Sequence, residues 1–87
     1  MISGKTKSGF EFTVDDEKLN DMRFVDALAE AMEDTFKAPK VIRMLLGEEQ
    51  KEALYTHLET EKGNVPIEAV MEAIEEIMGA TAETKNS

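Results

Sequence analysis

The sequence predicts a mainly α-helical protein, a small bundle of about four short helices with a short N-terminal β-strand or hairpin. Apolar residues recur at helical spacing over most of the chain, and they alternate with polar residues only between Phe10 and Val14. Glycine or proline stands where the periodic stretches stop. The chain has 87 residues, so we expect a single small domain over residues 1–79.

The N-terminal segment, residues 1–14, carries the alternating pattern of a half-buried strand. Residues 2–6 can pair with this strand through a turn at residues 7–9, which makes a hairpin. Because a two-stranded ribbon is only marginally stable alone, Phe10 and Phe12 must pack on the helices or against another subunit. The sequence leaves open whether the pairing is within one chain or between chains.

The first helix is predicted over residues 19–34, after capping carboxylates at residues 15–17. Its apolar stripe covers roughly half the circumference, which implies contacts on two sides. The stripe consists of Met22, Phe24, Val25, Leu28, Ala29 and Met32. A break follows at residues 35–39, where Pro39 is tolerated in the first turn of the next helix.

Two further helices are predicted over residues 38–46 and 48–62, joined at a corner at Gly47. The first is apolar from Val41 to Leu46 except for one arginine, so we expect it in the middle of the fold. The second buries Leu54 and Leu58 at helical spacing and leaves Lys51 and its acidic neighbours in water.

The last helix is predicted over residues 66–78, where isoleucines, valine and methionines follow the helical rule and glutamates occupy the other face. Gly79 should end it. Residues 80–87 are small or polar, and we expect them to form a flexible C-terminal tail.

The formal net charge of −9 excludes whole classes of function. A nucleic-acid binder needs clustered Lys and Arg, and an anionic membrane repels an acidic surface, so neither partner is expected. The chain has no cysteine, no apolar run long enough for a membrane span and no signal-peptide pattern at its start. These features predict a protein of the cytoplasm.

Lys37, Lys40 and Arg43 form a local basic edge, with no acid between Phe36 and Leu46. Their spacing of three places them along one inclined line of a helix. This edge lies either against acidic faces of the same domain or against a partner.

No residue pattern indicates catalysis, a metal site or a cofactor. His57 is the single histidine, so no histidine-based triad or paired-histidine metal site can be assembled in one chain. The glutamate pairs of the last helix face outward by periodicity, and no glycine-rich phosphate loop or EF-hand loop is present. We therefore expect a protein that is not an enzyme.

The methionines suggest an interaction surface. Methionine fills irregular gaps in cores, and it also lines surfaces that accept varied apolar partners. Five of the six fall on predicted apolar faces: Met22, Met32, Met44, Met71 and Met78. Core filling is the simpler reading, but four short helices with wide apolar stripes have more apolar face than one small core uses.

The order of motifs resembles the tail assembly chaperones of long-tailed bacteriophages, especially those of phages and prophages of Gram-positive bacteria. The likeness spans residues 9–79. It rests on GFEF at residues 9–12, LNDMRFVDALAE at 19–30, LLGEEQ at 45–50 and GNVP at 63–66.

This resemblance implies a non-catalytic protein–protein interaction in viral morphogenesis. Such chaperones bind the tape measure protein in the cytoplasm of the infected or lysogenic host, keep it soluble, and are absent from the mature virion. A longer product made by ribosomal frameshifting can recruit the tail tube protein. Residues 84–86, Thr-Lys-Asn, are compatible with a slippery heptamer in the gene, which predicts an overlapping downstream reading frame.

The expected partner-binding residues are Met44, Leu45 and Tyr55 of the middle helices, which could equally belong to the core. A homo-oligomer is also compatible with the sequence. The competing function is a small acidic regulatory or inhibitory protein, for example a DNA mimic, whose binding would weaken steeply with salt.

Overall fold

The secondary structure follows the predicted class, mainly α with an N-terminal hairpin. A computed structural model describes the backbone of residues 1–86 and the side chains of residues 1–81. The elements are β1 (Ile2–Lys5), β2 (Glu11–Val14), α1 (Asp16–Leu19), α2 (Met22–Glu33), a 3-10 turn (Thr35–Lys37), α3 (Ala38–Leu58) and α4 (Ile67–Asn86). The mainly helical fold class is thereby confirmed.

The hairpin pairs within the chain. Strands β1 and β2 are antiparallel, with Ile2 opposite Val14 and Gly4 opposite Phe12. The Phe12 ring lies over Gly4, since a Cβ added there would come within 2.7 Å of the ring's Cζ atom. Phe10, Phe12 and Val14 are all buried, so the alternating face of β2 packs on the helices, as the sequence pattern predicts.

The predicted helix over residues 19–34 is wrong at its start. The chain first makes the single turn α1, and then breaks at Asn20 before α2 begins. The Asp15 carboxylate accepts a hydrogen bond from the Glu17 amide at 3.0 Å, and the Asp21 carboxylate accepts one from the Arg23 amide at 2.9 Å. Two aspartate caps therefore divide a segment whose apolar spacing alone predicts one helix.

Helix α3 turns its corner at Gly47, as predicted. Gly47 has φ 81° and ψ 164° inside an otherwise helical segment, so residues 38–46 and 48–58 form two arms. The side-chain amide of Gln50 donates to the Leu46 carbonyl at 2.7 Å across this corner. The second arm ends at Leu58 and not at residue 62, because Glu59 is extended and residues 60–64 close a turn.

Helix α4 does not end at Gly79. It continues to Asn86, so the predicted helix end at residue 78 is wrong; residues 80–86 of the predicted tail are helical, and Ser87 lies outside the described residues. A glycine ends a helix only where the backbone turns to positive φ, and Gly79 is not among the glycines that do so. The buried Thr81 hydroxyl donates to the Ile77 carbonyl at 2.7 Å and extends the packed part of the helix.

The core lies where β2, α3 and α4 meet. Its least exposed side chains are Val14, Ile42, Leu54 and Ile77. Helix α3 contacts α1, α2, α4 and β2, and its first arm is buried on one face, so the predicted central position of this segment is confirmed. The other elements pack around α3, and the outer face of α2 has no neighbour among the described residues.

Candidate functional site

The three residues expected to bind a partner do not form one surface. Leu45 is only 2% exposed and belongs to the core, which corrects its assignment to a binding surface. Met44 is half-buried beside Lys18, Asp21 and Phe24 in a shallow hollow. Tyr55 is half-buried in a different hollow, so the structure separates these residues instead of bringing them together.

Tyr55 lines an open apolar groove of about 210 Å³ between the start of α3 and the start of α4. The groove is lined by Thr35, Ala38, Pro39, Ile42, Tyr55, Val65, Ile67, Val70 and Met71. Ile67, predicted to lie on the apolar stripe of the last helix, is 63% exposed at its edge. Pro39 is exposed as well, whereas the other apolar lining residues are buried or half-buried, so the groove is a shallow depression with two exposed side chains at its surface.

The outer face of α2 carries three of the six large apolar side chains that are exposed among the described residues, namely Met22, Val25 and Met32. Phe24, Ala27 and Ala31 point into the core, whereas Met22 and Met32 are 70% and 79% exposed. We call the exposed apolar residues the α2 ridge, and they are Met22, Val25, Ala29 and Met32.

These four positions fall within about 80° of the helix circumference, because successive residues of an α-helix are about 100° apart. They therefore form one straight stripe roughly 15 Å long. The wide apolar stripe predicted contacts on two sides, and the described residues of this chain supply only one of them. The assignment of Met22 and Met32 to core filling is accordingly wrong.

Phe36 adds a large ring directly after the ridge. It is 92% exposed and lies in the 3-10 turn that begins after Asp34. The Asp34 carboxylate caps this turn by accepting from the Phe36 amide at 3.0 Å, which fixes the local backbone. Sequence analysis missed Phe36 because it assigned this segment only as a break, although an aromatic residue beside a wide apolar stripe is a signal of contact.

A row of carboxylates borders the ridge on one side. Asp26, Glu30 and Glu33 occupy positions i, i+4 and i+7 of α2 and are all exposed. None of them forms an ion pair with the side chains described. On the other side of the ridge lies Leu28, which is half-buried against the core. The ridge thus has one acidic flank and one apolar flank.

The basic edge does not lie against acids of the same chain along its whole length. Arg43 donates from Nε to the Glu48 carboxylate at 2.6 Å, across the corner at Gly47. Lys37 and Lys40 are exposed and make no ion pair within the described part of the chain. Intramolecular pairing therefore accounts for one of the three cations.

Lys51 is buried, which corrects its expected place in water. Its ammonium lies 4.9 Å from the centre of the Tyr55 ring and 3.3 Å from carboxylate oxygens of both Glu48 and Glu52. Hydrogen bonds from Arg43 and Lys51 lower the pKa of the Glu48 carboxyl. Burial of Lys51 opposes its protonation, but hydrogen bonds to Glu52 and Glu48 outweigh burial and raise the pKa of the ammonium.

His57 holds the hairpin turn against α3. Its Nε2 atom lies 3.1 Å from both the hydroxyl and the carbonyl oxygen of Ser8, and its ring packs beside Phe10. The same turn is fixed to α4, since the Lys7 amide donates to the Glu76 carboxylate at 2.6 Å. Together these contacts hold the hairpin turn against both α3 and α4.

Among residues 1–81, no group of three or more histidine and acidic side chains is arranged to hold a metal ion. The helices in the described part of the chain are too short or too polar to cross a bilayer. The exposed apolar features open to a partner include the α2 ridge, Phe36 and the groove beside Tyr55.

The fold and the α2 ridge define a small helical protein in which no described residue covers one apolar helix face. Comparisons with protein-family models, with curated proteins and with solved structures find no match to the chain.

Proposed function

We propose that this protein is a tail assembly chaperone that binds apolar helices of a tape measure protein and keeps that protein soluble during tail assembly. The observation that carries the proposal is the α2 ridge, a straight apolar stripe with no neighbour among the described residues. A helical client can cover such a stripe by packing its own apolar face along it. The order of sequence motifs supports the choice of client.

The chemistry of the ridge suits a transient, adaptable contact. Its two largest members, Met22 and Met32, are flexible and polarisable, so they can pack against differing apolar side chains. A tape measure protein presents many similar helical segments, and a binding surface for it must accept more than one sequence. The acidic remainder of the surface, with a formal net charge of −9, favours solubility of the complex.

The proposed function consists of binding alone and includes no catalytic step. The chaperone would act in the cytoplasm of the infected or lysogenic host and leave before the virion is finished. A frameshifted longer form would add contact with the tail tube protein. The ridge lies on α2, far in sequence from the C-terminal residues at which such an extension begins, so both forms would share it.

The test is co-expression with a tape measure protein, taken from the long helix-rich reading frame that the proposal predicts downstream of this gene. We expect the native chaperone to move the client from the pellet to the supernatant, and the double substitution Met22→Asp/Met32→Asp to lower the soluble fraction about tenfold. Ile67→Asp is the matched control, because Ile67 is also an exposed apolar residue but lies on the groove.

Two results would count against the proposal. A client that stays insoluble with the native protein would remove the chaperone function. A client that is solubilised equally well by the folded double variant, but not by Ile67→Asp, would move the binding surface from the ridge to the groove.

A further inference from the structure

We propose that the α2 ridge selects client helices that carry Lys or Arg along one flank of their apolar face, because those cations pair with Asp26, Glu30 and Glu33. The client's identity rests on the proposed function, whereas the charge preference rests on the surface alone. The occupant is thus an amphipathic helix of another protein with a basic border on one side.

The shape of the ridge requires a helix as the occupant. Its four residues make one stripe along the α2 axis, and a second helix can lay its i, i+3, i+4, i+7 positions into such a stripe. About three turns of client helix cover the roughly 15 Å of the ridge. Phe36, at the end of the ridge, offers an aromatic contact to one further turn.

The acidic flank determines which charge on the client helix is preferred. Asp26, Glu30 and Glu33 lie on one side of the ridge only, and none has a counter-ion among the side chains described. The nearest cation on α2 is Arg23, at the far edge of this row, and it also makes no ion pair with the side chains described. A docked helix with cations at matching positions neutralises the row, whereas one with acids there places like charges opposite each other.

The spacing of the row also sets a register. Steps of four and three residues follow one edge of α2, so cations at i, i+4 and i+7 of a client helix, or the reverse order, can meet all three carboxylates. A client that binds in the same direction but carries its basic residues on the opposite flank would bring them against Leu28, where no carboxylate of α2 lies. Such a client meets the acidic row only when it binds in the reversed direction, so the flank that carries the cations selects the direction of binding.

A second copy of this chain is a poor occupant. Each copy brings a net charge of −9, and antiparallel two-fold pairing of two ridges places both acidic rows on the same side of the interface. Repulsion between those rows opposes the apolar contact. A basic amphipathic helix instead carries positive charges that attract the acidic row.

The test uses synthetic helical peptides of about 18 residues. All share the same apolar stripe. One flank of that stripe carries three lysines at i, i+4 and i+7 in the first peptide and three glutamates at the same positions in the second. A third peptide carries the lysines on the opposite flank. Affinities for the full chain are measured by calorimetry at about 50 mM and about 500 mM salt.

We expect the first lysine peptide to bind about tenfold tighter than the glutamate peptide at low salt, with most of this difference lost at high salt. The triple substitution Asp26→Asn/Glu30→Gln/Glu33→Gln should reduce the difference to about twofold. The matched control is Glu68→Gln/Glu72→Gln/Glu75→Gln, which removes three exposed carboxylates of the same spacing from α4 and should keep the preference.

The proposal is overturned by equal affinities for the three peptides, by no binding of any of them, or by an equal loss of preference in the α4 control, which would indicate net charge alone. Sedimentation showing a dimer that Met32→Asp dissociates would assign the ridge to a second copy and also overturn it. If the protein prefers the lysine peptide but does not solubilise the client, this inference stands and the chaperone function is removed. If it solubilises the client but shows no preference among the peptides, the chaperone function stands and this inference is removed.

Discussion

The side-chain amide of Gln50 pairs with the backbone of Thr13 as a neighbouring strand would. Its Oε1 accepts from the Thr13 amide and its Nε2 donates to the Thr13 carbonyl, both at 2.8 Å. The outer edge of β2 is thereby covered by a residue of α3, and the same Nε2 atom also reaches the Leu46 carbonyl beside the corner. One side chain thus connects the free edge of the hairpin to the kink in the central helix.

Replacing Gln50 should loosen the hairpin. In Gln50→Glu the carboxylate can still accept from the Thr13 amide, but it faces the Thr13 and Leu46 carbonyls without a proton to donate. We expect the free energy of unfolding to fall by about 1–3 kcal/mol, as for other lost hydrogen bonds that leave an acceptor beside a charge. Urea unfolding followed by circular dichroism measures this.

The control for that substitution is Glu49→Gln, at the exposed neighbouring position, which should change stability by less than about 0.5 kcal/mol. If Gln50→Glu is as stable as the control, the two Thr13 hydrogen bonds contribute nothing and another contact holds the strand edge.

Gly47 should be intolerant of any side chain. Its φ of 81° and ψ of 164° lie in a region almost restricted to glycine, although a Cβ there would meet no other atom. Gly47→Ala is therefore expected to cost about 1–3 kcal/mol through backbone strain alone. Thermal and urea unfolding of the purified variant measure the loss.

Gly79→Ala is the matched control for Gly47. Gly79 lies within α4 and is exposed, and a Cβ there also meets no atom. Alanine should stabilise the helix by about 0.5–1 kcal/mol. Equal effects of the two substitutions would contradict the strained geometry at the corner.

The Glu48–Lys51 pair should make stability depend on pH at both extremes. Folding lowers the pKa of Glu48, so its contribution is complete above the ordinary value of 4.5 and is lost as pH falls through the lowered pKa. Folding raises the pKa of Lys51, so its contribution is complete below 10.5 and is lost as pH rises through the raised pKa. The interaction is therefore largest between these limits.

Glu48→Gln tests this pH dependence. The stability difference between the native protein and the variant should be greatest near neutral pH and should shrink as pH falls below 4.5 and as pH rises above 10.5. Urea unfolding at a series of pH values gives the profile, and Glu49→Gln supplies a carboxylate control at the same corner. A stability difference that stays constant over the whole pH range would show that the effect of the substitution does not come from titration of Glu48 and Lys51.

The helical class, the hairpin and the corner could all be predicted because each depends on local residue types. Gly47 ends an apolar run, and the alternation from Phe10 to Val14 fits only a strand with one buried face. The break before α2 was missed because the Asp21 side chain competes with helix continuation, and apolar spacing does not report that competition.

The sequence indicates surplus apolar surface on the helices, but it does not indicate where that surface lies. The breadth of the α2 stripe indicated surplus apolar surface, yet its two halves look alike in sequence. Ala27 and Ala31, with small side chains, face α3 closely, and the longer Met22 and Met32 remain outside. Which half packs inward depends on how α2 lies across α3, and that is a property of tertiary packing.

Leu45 and Met32 provide the sharpest contrast between core and surface. Both are large apolar residues of predicted apolar faces, but Leu45 is 2% exposed among core side chains and Met32 is 79% exposed on the ridge. Leu45→Asp buries a carboxylate without a partner and should cost more than about 4 kcal/mol, enough to unfold a domain of this size. Met32→Asp places the same carboxylate in water and should change stability by less than about 0.5 kcal/mol.

Circular dichroism and urea unfolding of the two variants distinguish these outcomes. We expect Leu45→Asp to lose its helical signal and Met32→Asp to keep both the signal and the cooperative transition of the native protein. A folded Leu45→Asp protein that fails to bind a client would return Leu45 to the binding surface. An unfolded Met32→Asp protein would show that the outer face of α2 is needed for folding, and the ridge could then not serve as a free docking surface.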